Sequence, residues 1–110
     1  METVTWPGAS GKQYTTQLCR FGREFYNNAG VYIFCKPALV TGRWSQIYVG
    51  ECEDFNERLN TNLTNHHRWD CIKREGATNV CVMPVLGARA ARLAVETDLR
   101  IALNAPCNRQ

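Results

Sequence analysis

The side chains best suited to chemistry are two strand tyrosines, a helix arginine, a histidine pair and a helix glutamate. Glu96 stands among Arg89, Arg92 and Arg100, with Arg92 and Arg100 one helical turn away on either side. That spacing makes an ordinary solvated ion-pair ladder. Glu96 also precedes Leu99 and Leu103 on the border of an apolar stripe, where a carboxylate calls for a metal or a cationic partner. Arg58 lies between Phe55 and Leu59, so it borders the buried side of its helix. An arginine held by such packing presents its planar fork to a phosphate. Its commoner use is a stem laid over apolar neighbours. Tyr32 and Tyr48 are central to β-rich runs, where a tyrosine is ordinarily core with its hydroxyl bonded. His66 and His67 are adjacent and expected to point different ways, so that one at most faces a common site.

These residues need elements to position them. Thr3 to Trp6 alternates, Pro7-Gly8-Ala9-Ser10-Gly11 is turn chemistry, and Gln13 to Leu18 returns as a second strand. Asn27-Asn28-Ala29-Gly30 feeds the run Val31 to Cys35, which Lys36-Pro37 ends; Gln46 to Gly50 pairs with it as a hairpin. Phe55, Leu59 and Leu63 recur at helical spacing behind the acidic pair Glu53-Asp54. A second short helix is expected from Asn65 to Glu75, stopped by Gly76. Asn79 to Val85 is a third core strand, with Pro84 marking an edge or a terminus. Gly87 to Asn104 is the longest helical pattern, ended by Pro106. The expected architecture is α+β: a small central antiparallel three-stranded sheet flanked by helices (ββααβα), with an N-terminal β-hairpin extension. Residues 1–110 read as one domain, with the hairpin extension at 1–26 and the core at 29–108.

Composition sets few limits. The 110 residues are 45% hydrophobic and 21% charged, too apolar for a disordered chain. No apolar run reaches the roughly 18 residues of a membrane span. The opening Met1-Glu2-Thr3-Val4-Thr5 lacks the basic and apolar regions of a signal peptide, which predicts a cytoplasmic protein. In that compartment Cys19, Cys35, Cys52, Cys71, Cys81 and Cys107 are expected as free, mostly buried thiols; disulfides and metal ligation are the alternatives. The net charge of +3 is weak, but Arg58, Arg68, Lys73, Arg74, Arg89, Arg92, Arg100 and Arg109 fall in the C-terminal half. They make either a solvated helix surface or a basic face for phosphates.

The order of the motifs is more specific than any one of them. Gly30-Val31-Tyr32, then Tyr48-Val49-Gly50, then Arg58, then Glu96, then Pro106-Cys107-Asn108 resembles the GIY-YIG nuclease superfamily over residues 29 to 108. Each of the two short strings carries a Val for Ile exchange. The segments Asn65 to Trp69 and Lys73 to Thr78 resemble the small stand-alone members of bacteria and phages, nearest the single-strand-specific branch.

The resemblance implies an endonuclease that hydrolyses DNA phosphodiesters, single-stranded DNA being the expected partner, with one Mg²⁺ or Mn²⁺ ion. It implies no membrane and no obligate protein partner. Glu96 is the implied metal ligand, since a hard carboxylate oxygen suits either ion. Tyr32 is implied to activate the attacking water, Tyr48 to position phosphate or water, and Arg58 to neutralise the phosphate. Asn108 is implied to support the metal side. Gly30 and Gly50 serve tight turns and close backbone approach. His66 is the candidate auxiliary base, with His67 in reserve. Lys36 and Arg43 in the long loop between the tyrosines, with His67, Arg68 and Lys73, are the expected substrate contacts. Trp6, Trp44 and Trp69 are either base-stacking platforms or core. Two positions depart from the pattern: Glu51 stands where some members carry lysine, and Asn62 where others carry histidine. The general base is therefore open between Tyr32 and His66. The alternative function is a nucleic-acid-binding module of the same fold that has lost catalysis.

Overall fold

The computed structural model describes residues 2–109. Five strands form one antiparallel sheet: β1 (Thr3–Pro7), β2 (Gln13–Arg20), β3 (Gly30–Pro37), β4 (Trp44–Cys52) and β5 (Asn79–Pro84). Their spatial order is β1-β2-β5-β3-β4. β5 is thus central, paired with β2 on one side and with β3 on the other. Its sequence suits that place: Val80 and Val82 enter the core on one face and Cys81 on the other. Pro84 sits at the strand's end, where its missing N–H costs no ladder bond.

This overturns the three-stranded sheet flanked by helices. The hairpin expected as an N-terminal extension is not one: β1 and β2 are two strands of the sheet. Without β2, β5 would present an open edge of unpaired N–H and C=O groups. The hairpin also fills the core, since Trp6 is buried with Val31, Ile33, Leu99 and Leu103. Helices are few. α1 (Trp69–Arg74) has 6 residues and α2 (Arg89–Leu103) has 15. The helix expected after Glu53 contains a π-helical turn at Glu57–Thr61, followed by a 3₁₀ turn at Leu63–Asn65; a second 3₁₀ turn lies at Pro106–Asn108.

Each face of the sheet has its own cover. α2 lies over Val31, Ile33, Cys35, Val49 and Cys81 through Leu99 and Leu103. Asp98 pins that helix to the first hairpin, accepting bonds from Ser10 N–H (2.8 Å), Ser10 Oγ (2.7 Å) and the Tyr14 hydroxyl (2.8 Å). The segment from Phe55 to Ile72 lies over Tyr32, Phe34 and Tyr48 on the opposite face. Contrary to the all-thiol expectation, Cys71 and Cys107 form a disulfide that joins α1 to the last 3₁₀ turn. Cys19, Cys35, Cys52 and Cys81 are free and buried. Among the described residues, no helix is long and apolar enough to cross a membrane.

Candidate active site

β3 and β4 set the tyrosines on one face. Tyr32 pairs with Gly50 and Tyr48 with Phe34, so the two rings are diagonal neighbours with centroids 6.2 Å apart. Gly50 is the space the rings occupy. A Cβ there would lie 2.5 Å from Cζ and from the hydroxyl oxygen of Tyr32, and 2.8 Å from Cε2 of Tyr48. Gly30 answers the same demand against the Met83 carbonyl and the Phe55 ring. Neither glycine is among those with positive φ, so close approach, not a turn, requires them.

A polar cluster covers the tyrosines. Asp54 Oδ1 accepts the Glu57 N–H (3.1 Å), and Asn62 N–H reaches Glu57 O in the π-type turn. From this turn Arg58 Nη1 donates to the Tyr32 hydroxyl at 3.4 Å. His66 Nε2 lies 2.7 Å from the same oxygen, and His67 Nε2 lies 3.4 Å from the Tyr48 hydroxyl. The histidines do not diverge as expected. Their rings stack 4.7 Å apart and each meets its own tyrosine. The cause is local: His66, at ψ 132°, ends the preceding 3₁₀ turn in extended geometry, so helical spacing does not govern the pair.

The bonds fix a tautomer. His66 Nδ1 accepts the Arg68 backbone N–H at 3.0 Å, so in the neutral ring Nε2 carries the proton. It donates to Tyr32, whose oxygen therefore accepts two N–H bonds. Burial, helped by the cations of His67, Arg58 and Arg68, lowers the pKa of His66 to about 4. Burial lowers His67 too, with Arg58 and Arg68 adding. Both tyrosines are raised, chiefly by burial: Tyr32 also by Tyr48, against Arg58, and Tyr48 also by Glu96, against Arg100, Arg58 and Arg68.

Two clefts border this cluster, one at Arg58 and one at Tyr48. One, of 690 Å³, is lined by Arg58, Glu51, Asp54, Asn62, Arg89 and Arg92 among others. The other, of 290 Å³, is lined by Tyr48, His67, Arg68, Arg100, Cys107 and Asn108. Glu96 on α2 feels Glu51 and Arg89 of the first and Arg100 of the second. It makes no hydrogen bond to either tyrosine among the described residues, but its charge acts on Tyr48; Arg100, 3.8 Å from it, lines the Tyr48 cleft. Arg92 does not join the expected ladder around Glu96. It is buried and donates to Glu51 at 3.0 Å, with Arg89 3.6 Å from the same carboxylate. Glu51, one of the two departures from the family pattern, is thus the anchor of α2 on β4.

Glu96 suits a hard cation. Among the described residues it accepts no hydrogen bond, and burial raises its pKa, Arg100 opposing. A carboxylate desolvated this way gains from a cation. Among the described residues, no group of three or more His, Cys, Asp and Glu side chains is placed to hold a metal. An ion at Glu96 would have one side-chain ligand and keep water, a habit of Mg²⁺.

The remaining expected residues divide. Asn108 spends both amide atoms on Val49, accepting its N–H at 2.8 Å and donating to its C=O at 2.9 Å. It acts as a partner for the sheet-edge strand β4 beside Tyr48. Arg68 donates to the carbonyls of Cys107 (2.8 Å) and Arg109 (3.1 Å), which holds the cleft wall. Lys36 Nζ caps α1 at Glu75 O, 2.8 Å away. Arg43 is exposed in the loop between β3 and β4, and Lys73 is exposed on α1; neither lines a cleft described above. Trp6 is core, and Trp69 packs on Phe21 and Phe34. Sequence reasoning missed Arg100 as a cleft residue; its place one turn after Glu96 was the available signal. Comparison with protein-family models, curated proteins and solved structures returns no match.

Proposed function

We propose that the chain is a divalent-metal-dependent endodeoxyribonuclease of the GIY-YIG type that acts on single-stranded DNA. One observation carries the reading. Arg58, His66 and His67 converge on the hydroxyls of two tyrosines from adjacent strands, at 2.7 to 3.4 Å, and clefts holding arginines open at Arg58 and at Tyr48. A polar cluster that contacts phenol oxygens and is bordered by cations suits a phosphodiester and a proton acceptor. The resemblance supporting this lies in the order of these residues.

Access favours different roles for the two tyrosines than the resemblance implies. Tyr32 is 1% exposed, whereas Tyr48 is 8% exposed and lines a cleft with the exposed His67. Tyr48 is the better placed to take a proton from an attacking water. Tyr32, holding Arg58 and His66, is the positioning residue beneath it. His66 is a poor base, because Nδ1 already accepts the Arg68 N–H and the protonated Nε2 is bound to Tyr32. Arg58 presents its remaining N–H groups to the phosphate. Glu96 would hold the ion, which when bound supplies charge neutralisation at the phosphate and the leaving oxygen. For single strands the support is Tyr26, an aromatic ring 87% exposed beside Asn27, which bonds Asp54 at the edge of the larger cleft. Such a ring can stack on an unpaired base.

The test is cleavage of mixed-sequence single-stranded, duplex and branched DNA, with Mg²⁺ and with chelator. Cleavage of the single strand, lost in chelator and restored by Mg²⁺ or Mn²⁺, is expected. Equal activity in chelator, or cleavage confined to duplex, contradicts the proposal.

A further inference from the structure

Arg100 is the least committed cation in the smaller cleft. Arg68, its neighbour there, is occupied by two backbone carbonyls. Arg100 has one charged partner among the described residues, Glu96 at 3.8 Å, a long contact. Its side chain is 47% exposed, while that of Glu96 is 14% exposed. It also borders a second hollow of 360 Å³, with Asn104, Asn108 and Arg109. A guanidinium with most of its N–H groups unused, beside Tyr48 and between two hollows, is free to change partners.

We propose that Arg100 neutralises Glu96 while no divalent cation is bound, and turns to a phosphate of the DNA strand in the Tyr48 cleft once a cation takes the carboxylate. The inference rests on the nuclease reading. It makes Arg100 a phosphate-binding residue and gives metal and DNA a shared switch. Its physical basis is exclusion: two cations compete for one half-buried carboxylate, and the displaced one needs an anion. Linkage then requires metal and DNA to strengthen each other's binding.

The test compares wild type, Arg100→Gln and Arg100→Lys in two binding measurements. The first is Mn²⁺ affinity by calorimetry without DNA. Removing a half-exposed competitor raises affinity by about two- to five-fold in Arg100→Gln, and Arg100→Lys stays near wild type. The second is the salt dependence of binding to a fluorescent single-stranded oligodeoxynucleotide, in chelator and in Ca²⁺. In Ca²⁺ the log–log slope of Arg100→Gln is shallower than wild type by about 0.7, one phosphate contact, while in chelator the slopes agree. Equal slopes in Ca²⁺ with DNA binding intact, or unchanged Mn²⁺ affinity, overturn the inference and leave the nuclease reading standing. A wild type that binds no single-stranded DNA under either condition overturns both.

Discussion

Gly50→Ala measures how tightly the tyrosines are set. The new methyl would stand 2.5 Å from the Tyr32 ring carbon and hydroxyl oxygen and 2.8 Å from Tyr48. Ordinary contact begins near 3.4 Å, so Tyr32 must retreat by about 1 Å. There is little room, because the residue is 1% exposed and packs edge-on against Phe34. Its 2.7 Å contact with His66 is therefore compressed or broken. Overpacking of this kind costs about 1–3 kcal/mol. In a chain of this length each kcal/mol lowers Tm by about 4–8 °C. A displacement of ~1 Å at the reacting groups lowers turnover on the order of a hundredfold. The assay pairs thermal unfolding by circular dichroism with kcat on a single-stranded oligonucleotide below the new Tm. A variant with wild-type Tm and turnover would show that the glycine is not reserved for the tyrosines, and the packing argument would fail.

The pH dependence of cleavage separates the candidate bases. With Tyr48 raised chiefly by burial, the rate should climb through pH 8 to 9 without a plateau; a plateau above about pH 7 would assign the role to His67, whose pKa is lowered. Tyr48→Phe should then reduce kcat more than Tyr32→Phe, and the opposite order would restore the role the resemblance gives Tyr32. His66 also makes stability depend on pH. Its folded pKa of about 4 lies below the unfolded value of 6.5, so the unfolded chain binds the proton more readily. Stability is full above pH 6.5 and falls as pH drops toward 4, by on the order of 3 kcal/mol. Urea unfolding at pH 7 and pH 4.5 should show this loss in wild type and little of it in His66→Gln; equal losses would remove His66 as the cause. The disulfide closes a loop of 36 residues, so reducing it should cost about 4 kcal/mol by loop-closure entropy. An unchanged Tm in reductant would contradict the bond's role in holding the cleft wall.

Much of this was legible in local pattern. The β-branched and aromatic runs of β3 and β4 and the Leu99–Leu103 stripe of α2 appear where the residues predict them. The pairing of β2 with β5 was not legible. It joins Cys19 to Val80 across the chain, and nothing in either strand alone names its neighbour. Phe55, Leu59 and Leu63 predict one helix because i, i+4 spacing fits a π turn followed by a 3₁₀ turn as well as a continuous helix. The histidine pair was misread because its stacking depends on one backbone angle at His66. The role of Asn108 rests on its place in the motif order, while its work depends on β4 being an edge strand. The bond between Cys71 and Cys107 depends on the fold bringing α1 to the last turn, which spacing does not reveal.

The central claim is that these residues cut DNA with the help of one cation held by Glu96. Its most direct test is cleavage of a labelled single-stranded oligonucleotide in Mg²⁺ by wild type and Glu96→Ala, with binding of the same strand measured in parallel. The account predicts cleavage by wild type, none by Glu96→Ala, and binding largely retained. Cleavage by Glu96→Ala at the wild-type rate, or none by wild type, would contradict it.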